Sequence, residues 1–103
     1  MDMIISNKGE SFPVINNKRT QGAYERYLNS SNTSLYDVYK NPSRRKMSAF
    51  EYCKTLMNDF DGTDLRVIGA NTMQFSAGFV FERENEKYFM YITKSADVAM
   101  KIK

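Results

Sequence analysis

The stretch TMQFSAGFVFE, Thr72 to Glu82, decides how the rest of the chain is read. Met73, Phe75, Ala77, Phe79 and Phe81 alternate with Gln74, Ser76, Gly78, Val80 and Glu82. A period of two sends the two sets to opposite faces of an extended chain. The stretch is therefore a half-buried strand with an aromatic core face. Upstream the period changes. Ala49, Phe50, Tyr52, Cys53, Leu56, Met57 and Phe60 fall within one arc of about 160° at helical spacing. Arg44, Ser48, Glu51, Thr55 and Asn58 lie opposite. Asn41 is a good N-cap, and Pro42 suits the first helical position, where its missing N–H costs nothing. The pattern predicts one long amphipathic helix over residues 41–60, stopped by Gly62.

Working outward, DLRVIGA (residues 64–70) reads as a strand, with Asn71 as a turn residue, and RENEK (83–87) as a charged hairpin loop. YFMYITK (88–94) reads as a strand that is apolar on both sides. SADVAMKIK (95–103) closes the sheet, with Val98, Met100 and Ile102 at period two. Toward the N-terminus, QGAYERYLN (21–29) predicts a short helix with Tyr24, Tyr27 and Leu28 on one face. Ser34 caps a second short helix over LYDVYK (35–40), with Asp37 completing a weak capping box. Residues 1–20 are interrupted by Gly9, Pro13 and Asn16-Asn17, and read as an edge strand or as an arm ordered by a partner. The expectation is a single α+β domain over residues 1–103. Short N-terminal helices and one long amphipathic helix pack on a three- or four-stranded antiparallel meander, in two layers. One helix layer covers one side of the sheet. The second side of strand 88–94 must then meet the N-terminal segment, a second copy in a homodimer, or another protein.

Composition excludes several kinds of chemistry. The 103 residues contain no His and one Cys, so no Ser–His or Cys–His nucleophile pair can form, and zinc lacks ligands. The five glycines are scattered and make no phosphate loop. Cys53 lies on the apolar arc of the long helix and reads as a core thiol. NDFDGTD (58–64) is rich in acids but lacks the spacing and terminal Glu of a calcium loop, and reads as a helix end followed by a turn. The expectation is a protein with no catalytic, cofactor or metal site. The opening MDMIISNKGE lacks a signal-peptide core, and no apolar run reaches membrane-span length, so a cytoplasmic protein without a membrane partner is expected. The two Asn-X-Ser triplets within residues 29–34 then read as turn residues.

The charge pattern carries the functional clue. The net charge is +3. Residues 1–46 hold eight cations against four acids, and residues 47–103 seven against eight. Arg44, Arg45 and Lys46 crowd the positive end of the predicted helix, while Asp59 and Asp61 crowd its negative end. Each such charge costs about 0.3–1 kcal/mol when exposed. One account is that the fold supplies counter-charges, for instance Glu82, Glu84 and Glu86 for the arginines. The other is a binding face, in which Lys40, Arg44, Arg45 and Lys46 act beside Tyr36 and Tyr39 as anchors. Such a face suits a protein surface. It also suits a nucleic acid, through phosphate contacts and base stacking, with Lys18-Arg19 further upstream. No helix-turn-helix, RRM or GXXG signature is present.

The runs EYCKTL (51–56), DLRVIGANTMQFSAGF (64–79) and FMYITKS (89–95) resemble small accessory proteins carried by phages and integrated mobile elements of bacteria. The resemblance covers residues 34–103 and rests on fold-making residues, so no active site comes with it. It implies the cytoplasm of a bacterial host and a non-enzymatic protein that binds and inhibits or modulates a host protein. Anti-CRISPR inhibitors, acting on a defence effector or its nucleoprotein complex, are one such case. The alternative is a small nucleic-acid-binding module that uses the same basic patch.

Overall fold

The computed structural model describes residues 2–30, 49–70, 75–93 and 97–103. In chain order the elements are β1 (Met3–Ile5), β2 (Ser11–Pro13), α1 (Lys18–Asn29), α2 (Ala49–Asp59), β3 (Thr63–Ala70), β4 (Phe75–Arg83), β5 (Glu86–Ile92) and β6 (Asp97–Lys101). The last four form an antiparallel meander in the order β3-β4-β5-β6, and β1 and β2 form a separate antiparallel pair. The chain is thus an α+β domain. The short helix expected over 35–40 and the start of the long helix lie outside the described residues. Helix α2 carries the part from Ala49 onward.

The alternation of β4 works as its spacing requires. Ala77, Phe79 and Phe81 are buried on one face, packed with Cys53, Leu56 and Phe60 of α2 and with Met90 and Ile92 of β5. The Phe60 ring lies 4.7 Å from that of Phe81 and 5.4 Å from that of Phe12. The charged loop closes to two residues, Glu84 and Asn85, both with positive φ (52° and 68°). That backbone matches the twist of the flanking strands and joins them without a bulge.

The sheet has helices on both faces, so the expected two layers are three. Helix α1 covers the face opposite α2, where Ala23, Tyr27, Ile68, Phe89, Tyr91 and Met100 form a second buried cluster. This explains why β5 is apolar on both sides. Met90 and Ile92 face α2, while Phe89 and Tyr91 face α1. Tyr24 and Tyr27 both lie against Phe89, at 5.3 and 5.1 Å between ring centroids. A side chain at Gly78 would run into the Phe89 ring and stand 2.8 Å from the Met90 carbonyl, so glycine makes this close approach possible. Helix α1 starts three residues earlier than its apolar spacing predicts. Asn17 caps it, accepting from the Thr20 N–H at 3.0 Å, while Thr20 Oγ1 accepts from the Asn17 N–H at 3.0 Å. Thr serves here in place of the usual Glu or Gln of a capping box. The buried face is Thr20, Ala23 and Tyr27; Leu28, expected beside the tyrosines, is 56% exposed.

Residues 2–15 are a hairpin docked on the core and do not form a free arm. Ile4 and Phe12 are buried beside Phe60. A parallel bridge joins Val14 to Ala99, and the Ile15 N–H donates to the Ala99 carbonyl at 2.8 Å. These contacts set the hairpin beside β6, with β2 nearer to it and β1 outermost.

Candidate functional site

All six expected binding residues, Tyr36, Tyr39, Lys40, Arg44, Arg45 and Lys46, lie outside the described residues. The structure does define the two points between which they fall. The chain leaves α1 at Ser30 on one face of the sheet and is next described at Ala49, on the other face. The exit is held by Arg66 of β3. Its guanidinium donates to the Ser30 carbonyl at 2.7 Å and the Tyr27 carbonyl at 3.3 Å, and lies 5.0 Å from the centre of the Tyr27 ring. Asp64 grips the same guanidinium from behind at 3.0–3.1 Å, and the Tyr27 hydroxyl donates to the Asp64 carbonyl. The guanidinium holds the Asp64 carboxyl below its usual range. Burial, more than the bond to Asp64, pushes the Tyr27 hydroxyl well above its own.

The acidic run at 58–64 is a helix end, as its pattern indicated. The Gly62 N–H donates to the Met57 carbonyl at 2.7 Å and the Asp61 N–H to the Asn58 carbonyl at 3.4 Å, a Schellman arrangement. The left-handed position belongs to Asp61, with φ 53°, and not to Gly62. Gly62 is required for another reason. A side chain there would collide with the Phe79 ring and stand 2.7 Å from Met57 Cγ. The three carboxylates each have a cation: Asp59 with Lys8 at 3.5 Å, Asp61 with Arg83 at 3.7 Å, and Asp64 with Arg66. Arg83 also donates to the Asp59 and Phe60 carbonyls at 3.0 and 3.3 Å, and its guanidinium lies 5.1 Å from the centre of the Phe60 ring. The negative end of α2, which carries acids against its dipole, is thus answered by cations within the fold. Neither arginine was singled out from sequence. The available signal was a lone cation on a core-facing strand position.

Glu82, Glu84 and Glu86, considered as counter-charges for Arg44 and Arg45, flank Arg83 at the C-terminal end of α2. Glu86 is taken by Lys101 at 2.7 Å. Sequence reasoning also passed over a polar cluster made by α2, β6 and the hairpin. Tyr52 bonds to the half-buried Asp97, with Glu10 nearby. Burial, helped by the Glu10 charge, holds the Asp97 carboxyl above its usual range despite the Tyr52 bond. Cys53 beside it is buried, and burial pushes its thiol far up, away from thiolate chemistry. Among the described residues no group of three or more His, Cys, Asp or Glu is placed to hold a metal ion. Nor is any described helix long and apolar enough to cross a membrane.

These contacts give the charge pattern a sharper shape. Residues 31–48 carry four cations against one acid, a net +3. The rest of the chain carries eleven against eleven. The whole basic excess therefore belongs to the segment between the Arg66-held exit and α2. Comparisons with protein-family models, with curated proteins and with solved structures find no match.

Proposed function

We propose that this is a non-enzymatic accessory protein of the phage or mobile-element kind, working in the bacterial cytoplasm by occupying the surface of a host protein. Its sharpest form is an anti-defence inhibitor of the anti-CRISPR type. The observation that supports it is the partition of charge. Lys8, Arg66, Arg83 and Lys101 each have an acid partner in the fold, and everything outside residues 31–48 sums to zero. A segment that carries the whole excess, with Tyr36 and Tyr39 beside Lys40, Arg44, Arg45 and Lys46, has the makeup of an interface whose counter-charge lies on another molecule.

The test pairs the wild type with Arg44→Glu/Arg45→Glu in a bacterial host. Phage plating on cells with and without an active CRISPR system reads the inhibitor role, and retention of a host protein on the immobilised chain reads binding. The reading predicts that the wild type protects phage and retains one host protein, and that the double variant does neither while melting like the wild type. An unchanged double variant would refute the assignment to this segment. Fluorescence anisotropy with labelled DNA and RNA probes separates the nucleic-acid alternative, which requires tight binding that falls steeply with salt.

A further inference from the structure

The outer edge of β1 has a hydrogen-bonding pattern of its own. The Ser6 N–H donates to the Glu10 carbonyl at 2.8 Å, and the Val14 N–H to the Asp2 carbonyl at 2.9 Å. With Ile4 opposite Phe12 in the register, the bonded pairs are 2 with 14, 4 with 12 and 6 with 10. Antiparallel strands alternate, so the backbone groups of Met3 and Ile5 point the other way, off the edge. Further along, the next outward group, the Asn7 N–H, is spent on the Asp59 carbonyl at 2.7 Å. Among the described residues, nothing bonds the outward N–H and C=O groups of Met3 and Ile5. The same two carry exposed apolar side chains, Met3 at 51% and Ile5 at 56%. No proline, inward charge or bulge blunts the strand, although it is short, which is itself one way of protecting an edge.

We infer that this edge pairs with the same edge of a second copy, antiparallel, about a two-fold axis through Ile4. Two features favour a second copy in this register over an unrelated strand. First, Met3 and Ile5 are symmetric about Ile4, so Met3 of each copy meets Ile5 of the other and every free group in the pair is bonded. Second, Asn7 is already engaged, which removes the register that would set Met3 against Asn7. The arrangement is closed, so it stops at a dimer and does not propagate to a fibre. It joins two sheets through their outermost strands and leaves both helical faces free. It uses none of residues 31–48, so it stands apart from the function proposed above.

Sedimentation equilibrium of the full chain over a wide concentration range tests this directly. The expected result is a mass rising from one chain to two. Ile5→Pro removes an outward N–H that the hairpin itself does not use. Two such bonds are lost by symmetry, and dimer affinity is expected to fall about tenfold or more. Met3→Lys places like charges in the interface while keeping every backbone group, and serves as the second variant should proline disturb the hairpin. Circular dichroism checks that both remain folded. A wild-type chain that stays monomeric at the highest concentration overturns the inference, as does a dimer that persists unweakened in a folded Met3→Lys variant.

Discussion

Replacing Arg83 by Gln tests how α2 is held. The guanidinium donates to two carbonyls at the end of α2 at 3.0 and 3.3 Å, and to the Asn7 side-chain carbonyl at 3.1 Å. It also stacks on the Phe60 ring. Its pair with Asp61 is long, and that carboxylate is 76% exposed, so the pair contributes almost nothing. Interaction of a cation with a helix C-terminus is worth about 0.3–1 kcal/mol and a partly exposed cation–π contact about 0.5–1 kcal/mol. Charge-assisted bonds to carbonyls that water can partly re-satisfy add about 1 kcal/mol. The loss is then about 2–3 kcal/mol, which for a domain of this size lowers the midpoint of thermal unfolding by roughly 10 °C or more. Arg83→Lys keeps the charge but cannot fork across two carbonyls, and should recover about half. The assay is unfolding followed by circular dichroism at low and at molar salt. The carbonyl bonds are short-ranged and survive screening, so the penalty of Arg83→Gln should persist in molar salt. A penalty that vanishes there would refute the capping argument and return the effect to the Asp61 ion pair.

Gly62→Ala drives a methyl group into the Phe79 ring and Met57, and over-packing of this kind costs about 1–3 kcal/mol, measurable by the same unfolding experiment. Asp97→Asn keeps an acceptor for Tyr52 while removing a charge that burial disfavours. The folded protein holds the Asp97 carboxyl above its unfolded value, so this group favours folding at acid pH. That contribution is lost as pH rises through the raised folded value. The variant should therefore be more stable than the wild type at neutral pH, with the gain shrinking as pH falls into the ordinary carboxylate range. Unfolding across that pH range checks it, and a constant or growing gain at acid pH would contradict the assignment.

What was legible in the sequence followed the range of the interactions. Strands β4 to β6 could be read because a period of two is a local signal, and Phe79 and Phe81 point where that period sends them. The end of α2 could be read from NDFDG, although the left-handed residue proved to be Asp61. The start of α1 escaped because Thr20 completes a capping box usually closed by Glu or Gln. The second helical layer escaped because the face α1 buries is Thr20, Ala23 and Tyr27, too small and too polar to register as an apolar stripe. The two arginine caps were out of reach altogether. Arg66 meets carbonyls 36 and 39 positions away, and Arg83 meets carbonyls 23 and 24 positions away. The six expected binding residues lie outside the described residues.

The two caps also bear on how the basic segment is best perturbed. Where acids break the dipole rule, at Asp59 and Asp61, the fold answers each with a cation at 3.5–3.7 Å. Residues 31–48 sum to +3 and the remainder of the chain to zero. Alanine at both Arg44 and Arg45 would leave the segment's charge positive and only weaken attraction to an acidic partner. Glutamate at both turns it to −1, changing attraction into repulsion while the charges outside the segment are left as they were. A partner that binds through charge must respond to that reversal in rate as well as affinity, and must respond less as salt is added.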